Sequence, residues 1–206
     1  ETTVALYNPS TGAQIGEAPM SSAATVEAAV KSSHAAYQQW REVPIGKRVG
    51  YIFAIHTAMQ DNLEKLAESI AIDQAKHISE ARGEVQRVIE IMEMACNAPS
   101  LLQGETLAHI GPGINGRVTR QPLGVFCGIA PFNFPALVFG WFIPFAIASG
   151  NTFVFKPSME SPLFMQKMGQ LMLDAGLPMS KINPCRGRAR HIAGPCPTER
   201  RSMCPG

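Results

Sequence analysis

The spacing of apolar positions changes several times along the chain, and each change marks a new kind of element. From Ser21 the period is helical. Val26, Val30, Ser33, Tyr37 and Trp40 alternate in steps of four and three, which places them on one helix face behind Ser and Thr residues suited to an N-cap. Val49, Ile52, Phe53 and His56 continue the pattern in a second helix behind Pro44, and Leu63, Leu66, Ala67 and Ile70 in a third or its extension. A fourth helix is predicted over about residues 79–102, with Val85, Val88, Ile89, Met92 and Cys96 on one stripe and Pro99 and Gly104 ending it. Ahead of them all, turn residues at Asn8-Pro9-Ser10-Thr11-Gly12 between short apolar stretches predict an extended hairpin within residues 1–20.

After Gly104 the period shortens to that of strands. Residues 106–110, a turn over residues 111–116 and residues 117–121 read as a two-stranded excursion. An alternating pattern follows: strand 125–129, helix 135–149, strand 152–155 and helix 162–175, with Gly176 and Pro178 placed to stop the last helix. Parallel strands joined by crossover helices predict an α/β fold with a doubly wound sheet, whose ligands sit beyond the carboxyl ends of the strands. Two loops occupy that place, residues 130–135 and 156–161. In this reading Cys127 is inside a buried strand and Cys96 on a helix, both structural.

Charge changes this picture in two places. No charged side chain occurs between Arg120 and Lys156, a run long enough to span a bilayer, but Pro131, Pro135 and Pro144 with Gly128, Gly140 and Gly150 interrupt it. Two short strands around a buried helix fit those interruptions with less strain, so no membrane association is expected. The net charge of +2 is also uneven: residues 181–206 hold six basic residues and one acid, for +5, which leaves −3 for residues 1–180. No basic field for nucleic acid is present in that larger part. Three of the five cysteines lie in the last 26 residues, unlike a disulfide-framed domain. Beyond Pro184, Pro, Arg, Gly and Cys dominate without helix or strand periodicity, so disorder is expected there.

Candidate chemistry is concentrated in the two loops. Asn133 places a side-chain amide between Phe and Pro residues after a buried strand, suited to stabilising an oxyanion, although spacing alone favours a cap on the following helix. Lys156 with Ser158 behind it could grip ribose hydroxyls or a phosphate, although strand ends also carry solvated lysines, and no Gly-x-Gly-x-x-Gly fingerprint follows the first strand. His34 and His56 have no second ligand at metal spacing, and Cys185, His191, Cys196 and Cys204 lack paired zinc spacing, so no metal is expected.

Gln121-Pro-Leu-Gly-Val125, Pro131-Phe-Asn-Phe-Pro135 and Gly150-Asn-Thr-Phe-Val-Phe-Lys-Pro-Ser158, at this spacing, resemble the aldehyde dehydrogenase superfamily. Ser79-Glu-Ala-Arg-Gly-Glu-Val85 and the Trp40 helix fit as well, so the resemblance runs from residue 1 to about 183. Phe132, where most members have Trp, is similar to the CoA-acylating methylmalonate-semialdehyde dehydrogenases. The resemblance implies NAD as cofactor, CoA as acyl acceptor and a small semialdehyde as substrate. Asn133 becomes the oxyanion amide, and Lys156 a ligand of the adenosine ribose with Ser158. Ile129, Ala130, Pro131 and Phe132 line the cofactor cleft, and Arg87 is a candidate for the substrate carboxylate.

It further implies a helical part at residues 1–105, an oligomerisation arm at 106–121 that pairs across subunits, the start of an NAD-binding sheet at 122–183, and a non-family tail at 184–206. The compartment would be the cytoplasm, or alternatively the mitochondrial matrix. Two departures stand out. Met159 occupies the place of the family's ribose-binding acid, with Glu160 one residue later, and the segments bearing the nucleophilic Cys and the catalytic Glu are missing. A truncated, inactive dehydrogenase is therefore expected, the alternative being a non-catalytic fragment that binds nucleotide or a partner.

Overall fold

The computed structural model describes residues 3–184. Strands β1 (Thr3–Tyr7) and β2 (Gln14–Pro19) pair antiparallel around the expected turn, where Gly12 takes a φ of +70°. Helix α1 (Ala23–Trp40) begins at Ser22, whose Oγ accepts the Thr25 N–H at 3.1 Å. Its buried face carries Val26, Ser33, Tyr37 and Trp40 as the spacing predicts, but Val30 is exposed. Helices α2 (Ile45–Asp61) and α3 (Leu63–Gln74) are separate elements that break at Asn62, whose Nδ2 donates to the Ala58 carbonyl. Phe53, expected on the α2 face, points to solvent.

The fourth predicted helix is two: α4 (Ile78–Cys96) and α5 (Ala98–Leu101). Asn97 ends the first, and Pro99 lies in the first turn of the second, where a missing N–H leaves no hydrogen bond unmade. Val85, Val88, Ile89 and Met92 are buried as expected. Strands β3 (Glu105–Gly111) and β4 (Ile114–Val118) then form the predicted antiparallel excursion, with a tighter turn than the sequence suggests and most residues exposed.

The α/β part runs β5 (Val125–Ile129), α6 (Pro135–Ala148), β6 (Thr152–Lys156), α7 (Leu163–Asp174), a 3₁₀ turn (Met179–Lys181) and β7 (Ile182–Pro184). All three strands are parallel in the order β5-β6-β7, one more strand than the periodicity indicates. Phe153 and Phe155 of β6 pack with residues of α6 and α7, while Val154, on the opposite face, packs with Val26 of α1. The described sheet winds one way only, so the reversal that defines a doubly wound sheet is not reached within it. Position in the sheet also decides burial. Central β6 is buried at all five residues, whereas β5 is an edge strand whose Phe126, Cys127 and Ile129 are exposed, contrary to the buried strand expected there.

Helix α6 sits at the centre of the core. It is apolar nearly all round and packs on α4 so closely that a Cβ on Gly140 would lie 3.0 Å from Val88 Cγ1. A buried helix cannot leave its terminal amides and carbonyls to water. Three side chains of the helical layer satisfy them. At its start Glu84 Oε1 accepts the N–H groups of Ala136 and Leu137 at 2.8 and 3.1 Å. At its end Trp40 Nε1 donates to the Ile147 carbonyl at 3.1 Å and Arg48 Nε to that of Ala148 at 2.9 Å. An acid at the N-terminus and a cation at the C-terminus also match the helix dipole. No described helix is both long and apolar enough to cross a membrane.

Candidate cofactor and oxyanion site

Pairing of β5 with β6 in register Ile129↔Lys156 brings the two predicted loops side by side at the carboxyl ends of the strands. Two hydrogen bonds tie them: Ala130 N to the Lys156 carbonyl at 2.9 Å, and Ser161 Oγ to the Phe132 carbonyl at 3.2 Å. The connection between α3 and α4 holds the first loop from its other side. Gln74 Nε2 donates to the Phe132 carbonyl, and Lys76 Nζ to the Asn133 carbonyl at 2.8 Å.

Phe132, Asn133, Met159 and Glu160 line a cleft of about 810 Å³, closed by Gln74, Lys76 and residues of β1. Asn133 is exposed to it. The capping alternative for Asn133 fails: the N-cap position belongs to Phe134, no side chain of its own caps the helix, and Glu84 takes the first free amides. None of the described residues hydrogen-bonds the Asn133 side-chain amide.

Lys156 and Ser158 are buried and do not line this cleft, while Ile129, Pro131 and Phe132 are exposed and Ala130 is buried. Burial pushes the Lys156 ammonium below the usual lysine range, and the nearby Glu160 charge partly opposes that. Its Nζ has no hydrogen-bond or ion-pair partner among the described residues, although Lys156 is only 8% exposed. Ser158 Oγ accepts the Glu160 N–H at 3.2 Å, which keeps its own proton available to a ligand. Arg87 is exposed on α4 and lines a second cavity of about 470 Å³ with Glu80, Glu84, Phe134 and Leu137. It does not line the cleft that holds Asn133, but Lys76 and Glu80 border both.

Sequence reasoning missed Lys76, Asp73 and Glu84. A signal for the two acids was there: each interrupts an apolar helix stripe, Asp73 three residues after Ile70 and Glu84 one before Val85. Both are buried, and each caps a crossover helix, Glu84 on α6 and Asp73 on α7 through the Leu163 N–H at 2.6 Å. His56 hydrogen-bonds Glu93 Oε1 at 3.2 Å. Burial, aided by Glu93, raises the Cys96 thiol, and burial raises that of Cys127; neither borders Asn133. Cys185, His191, Cys196 and Cys204 lie outside the described residues.

Malonate-semialdehyde dehydrogenase 2 of Shouchella clausii is 44% identical over 187 residues, which is 91% of this chain and 38% of the relative. Among solved structures, a methylmalonate-semialdehyde dehydrogenase of Oceanimonas doudoroffii superposes with a TM-score of 0.89 at 37% identity, covering 93% of this chain and 39% of that one. A putative methylmalonate-semialdehyde dehydrogenase of Sinorhizobium meliloti, complexed with NAD, gives a TM-score of 0.87 at 34% identity, covering 91% and 38%. The chain thus spans about two fifths of the length of these proteins. Residues 1–198 match the aldehyde dehydrogenase family, and this chain belongs to that family.

Proposed function

We propose that this chain supplies the NAD-binding and oxyanion-stabilising part of a dehydrogenase that converts malonate or methylmalonate semialdehyde to an acyl-CoA. Lys156 is the observation that carries the reading. A buried ammonium without a protein partner is costly unless a ligand supplies acceptors, and ribose hydroxyls beside Ser158 would do so. The residues present therefore fit the cofactor, which when bound accepts the hydride. Asn133 offers one donor to an oxyanion, Arg87 a cation for a substrate carboxylate, and Glu160 a substitute for the acid that Met159 replaces. Glu160 is exposed at the mouth of the cleft, so weak binding is expected.

Calorimetric titration of NAD into the chain tests this. Weak, saturable binding that Lys156→Met abolishes supports the reading, and binding indifferent to that substitution overturns it. A second reading, a non-catalytic fragment that binds a partner, is favoured by one observation: β3, β4 and the outer edge of β5 expose Leu107, Ile110, Ile114, Val118 and Phe126. The arm would then pair with another subunit.

A further inference from the structure

We propose that Lys76 and Glu84 act as a charge-neutral clamp that positions the Asn133 donor, an inference that rests on the oxyanion role given to Asn133 above. The two charges meet at 2.6 Å between Lys76 Nζ and Glu84 Oε2, with side chains 14% and 3% exposed. From this pair, contacts reach four of the five residues from Asn133 to Leu137. Lys76 Nζ donates to the Asn133 carbonyl at 2.8 Å and lies 4.6 Å from the centre of the Phe134 ring. Glu84 Oε1 accepts from Ala136 and Leu137. Pro135, between them, has no N–H to satisfy.

The consequence for chemistry is a division of labour. A helix N-terminus in such a place would ordinarily offer its own amides to an anion. Here Glu84 occupies those amides, so α6 has no free N–H at Ala136 or Leu137 to compete with the Asn133 side-chain amide. A lone carboxylate this near would also repel a developing oxyanion, and charges in a low-dielectric site are felt strongly. Lys76 cancels that charge and, by holding the Asn133 carbonyl, fixes the peptide from which the amide projects. Both are positioning residues.

The test uses the isotopically labelled 206-residue chain with Lys76→Met, Lys76→Arg and Glu84→Gln. Two things are read by NMR: the order of the Asn133 side-chain amide from nitrogen relaxation, and hydrogen exchange of the Ala136 and Leu137 amides. Lys76→Met is expected to free the Asn133 amide while leaving Ala136 and Leu137 protected, and Lys76→Arg to restore its order. Glu84→Gln is expected to speed exchange at Ala136 and Leu137 about tenfold, the loss of one ordinary hydrogen bond's worth of protection. An Asn133 amide that is equally ordered in wild type and Lys76→Met overturns the proposal. So does an even loss of protection across α4 and α6 that Lys76→Arg does not reverse, since that marks a general stabiliser. Should Lys76→Met fail to fold, Lys76→Gln carries the same comparison. No cofactor enters these measurements, so their failure is distinct from failure of the NAD titration.

Discussion

Arg48 Nε donates to the carbonyl of Ala148 at 2.9 Å, joining residues 100 positions apart and closing the C-terminal end of α6 with a side chain from α2. Through Nη1 the same guanidinium donates to the Val43 carbonyl. The helical layer and the sheet are thus joined at both ends of one buried helix, by Glu84 at its start and by Arg48 and Trp40 at its end.

Replacing Arg48 with Met keeps most of the apolar stem and removes both hydrogen bonds. The buried Ala148 carbonyl would then lack its donor, so a loss of about 2 kcal/mol is expected. Thermal or urea unfolding of the variant measures it; an unchanged midpoint would mean that water replaces the guanidinium.

Close approach of α6 to α4 depends on the missing side chain of Gly140. A methyl there would meet Val88 at 3.0 Å, so Gly140→Ala should destabilise by about 1–3 kcal/mol through overpacking. Val88→Ala makes room for it. The double variant is expected to be more stable than the sum of the single losses predicts, and strict additivity would show that the two helices do not share this contact.

Lys156 gives stability a pH dependence with a definite sign. Its pKa is lower in the folded chain than when unfolded, chiefly because burial disfavours the charged form. The unfolded state therefore binds more protons across the window between the two values, and stability rises with pH through it. Below that alkaline window the burial penalty is fully present. Lys156→Met should accordingly raise the melting temperature near neutral pH, with the gain shrinking as pH rises toward the ordinary lysine range. A gain independent of pH would trace the effect to packing instead.

Exposed apolar side chains on β3, β4 and the outer edge of β5 predict self-association. Sedimentation should show oligomers, and polar replacements at Ile110 and Ile114 should reduce them. A monodisperse monomer at high concentration would contradict this.

The 206-residue chain by itself is expected to form no NADH from malonate or methylmalonate semialdehyde, with or without CoA. In the role proposed for it, Asn133 would stabilise an oxyanion only after a thiolate has attacked the aldehyde, and the described thiols, Cys96 and Cys127, do not line its cleft. Turnover that disappears when Cys185, Cys196 and Cys204 are replaced would show that the chain carries its own nucleophile.

Periodicity in the sequence determined most of the elements, because an amphipathic helix or strand must place apolar residues on one side whatever it packs against. Thus Val85, Val88, Ile89 and Met92 marked the buried face of α4, and the run 135–149 marked α6 within a residue of its end. The α/β pattern likewise put the loops of Asn133 and Lys156 at the carboxyl ends of neighbouring strands. Tertiary structure alone decided the rest. Whether a strand is buried depends on its neighbours, so central β6 is covered and β5, equally apolar in sequence, is open at Cys127. Whether Asn133 caps a helix or faces a cleft depended on a carboxylate 49 residues earlier, since Glu84 takes the amides for which it could have competed. Helical period says which side of α4 is buried, but not that an acid on that side meets the start of another helix and a lysine from the preceding connection. Such pairings arise when separate segments meet, and no local pattern encodes them.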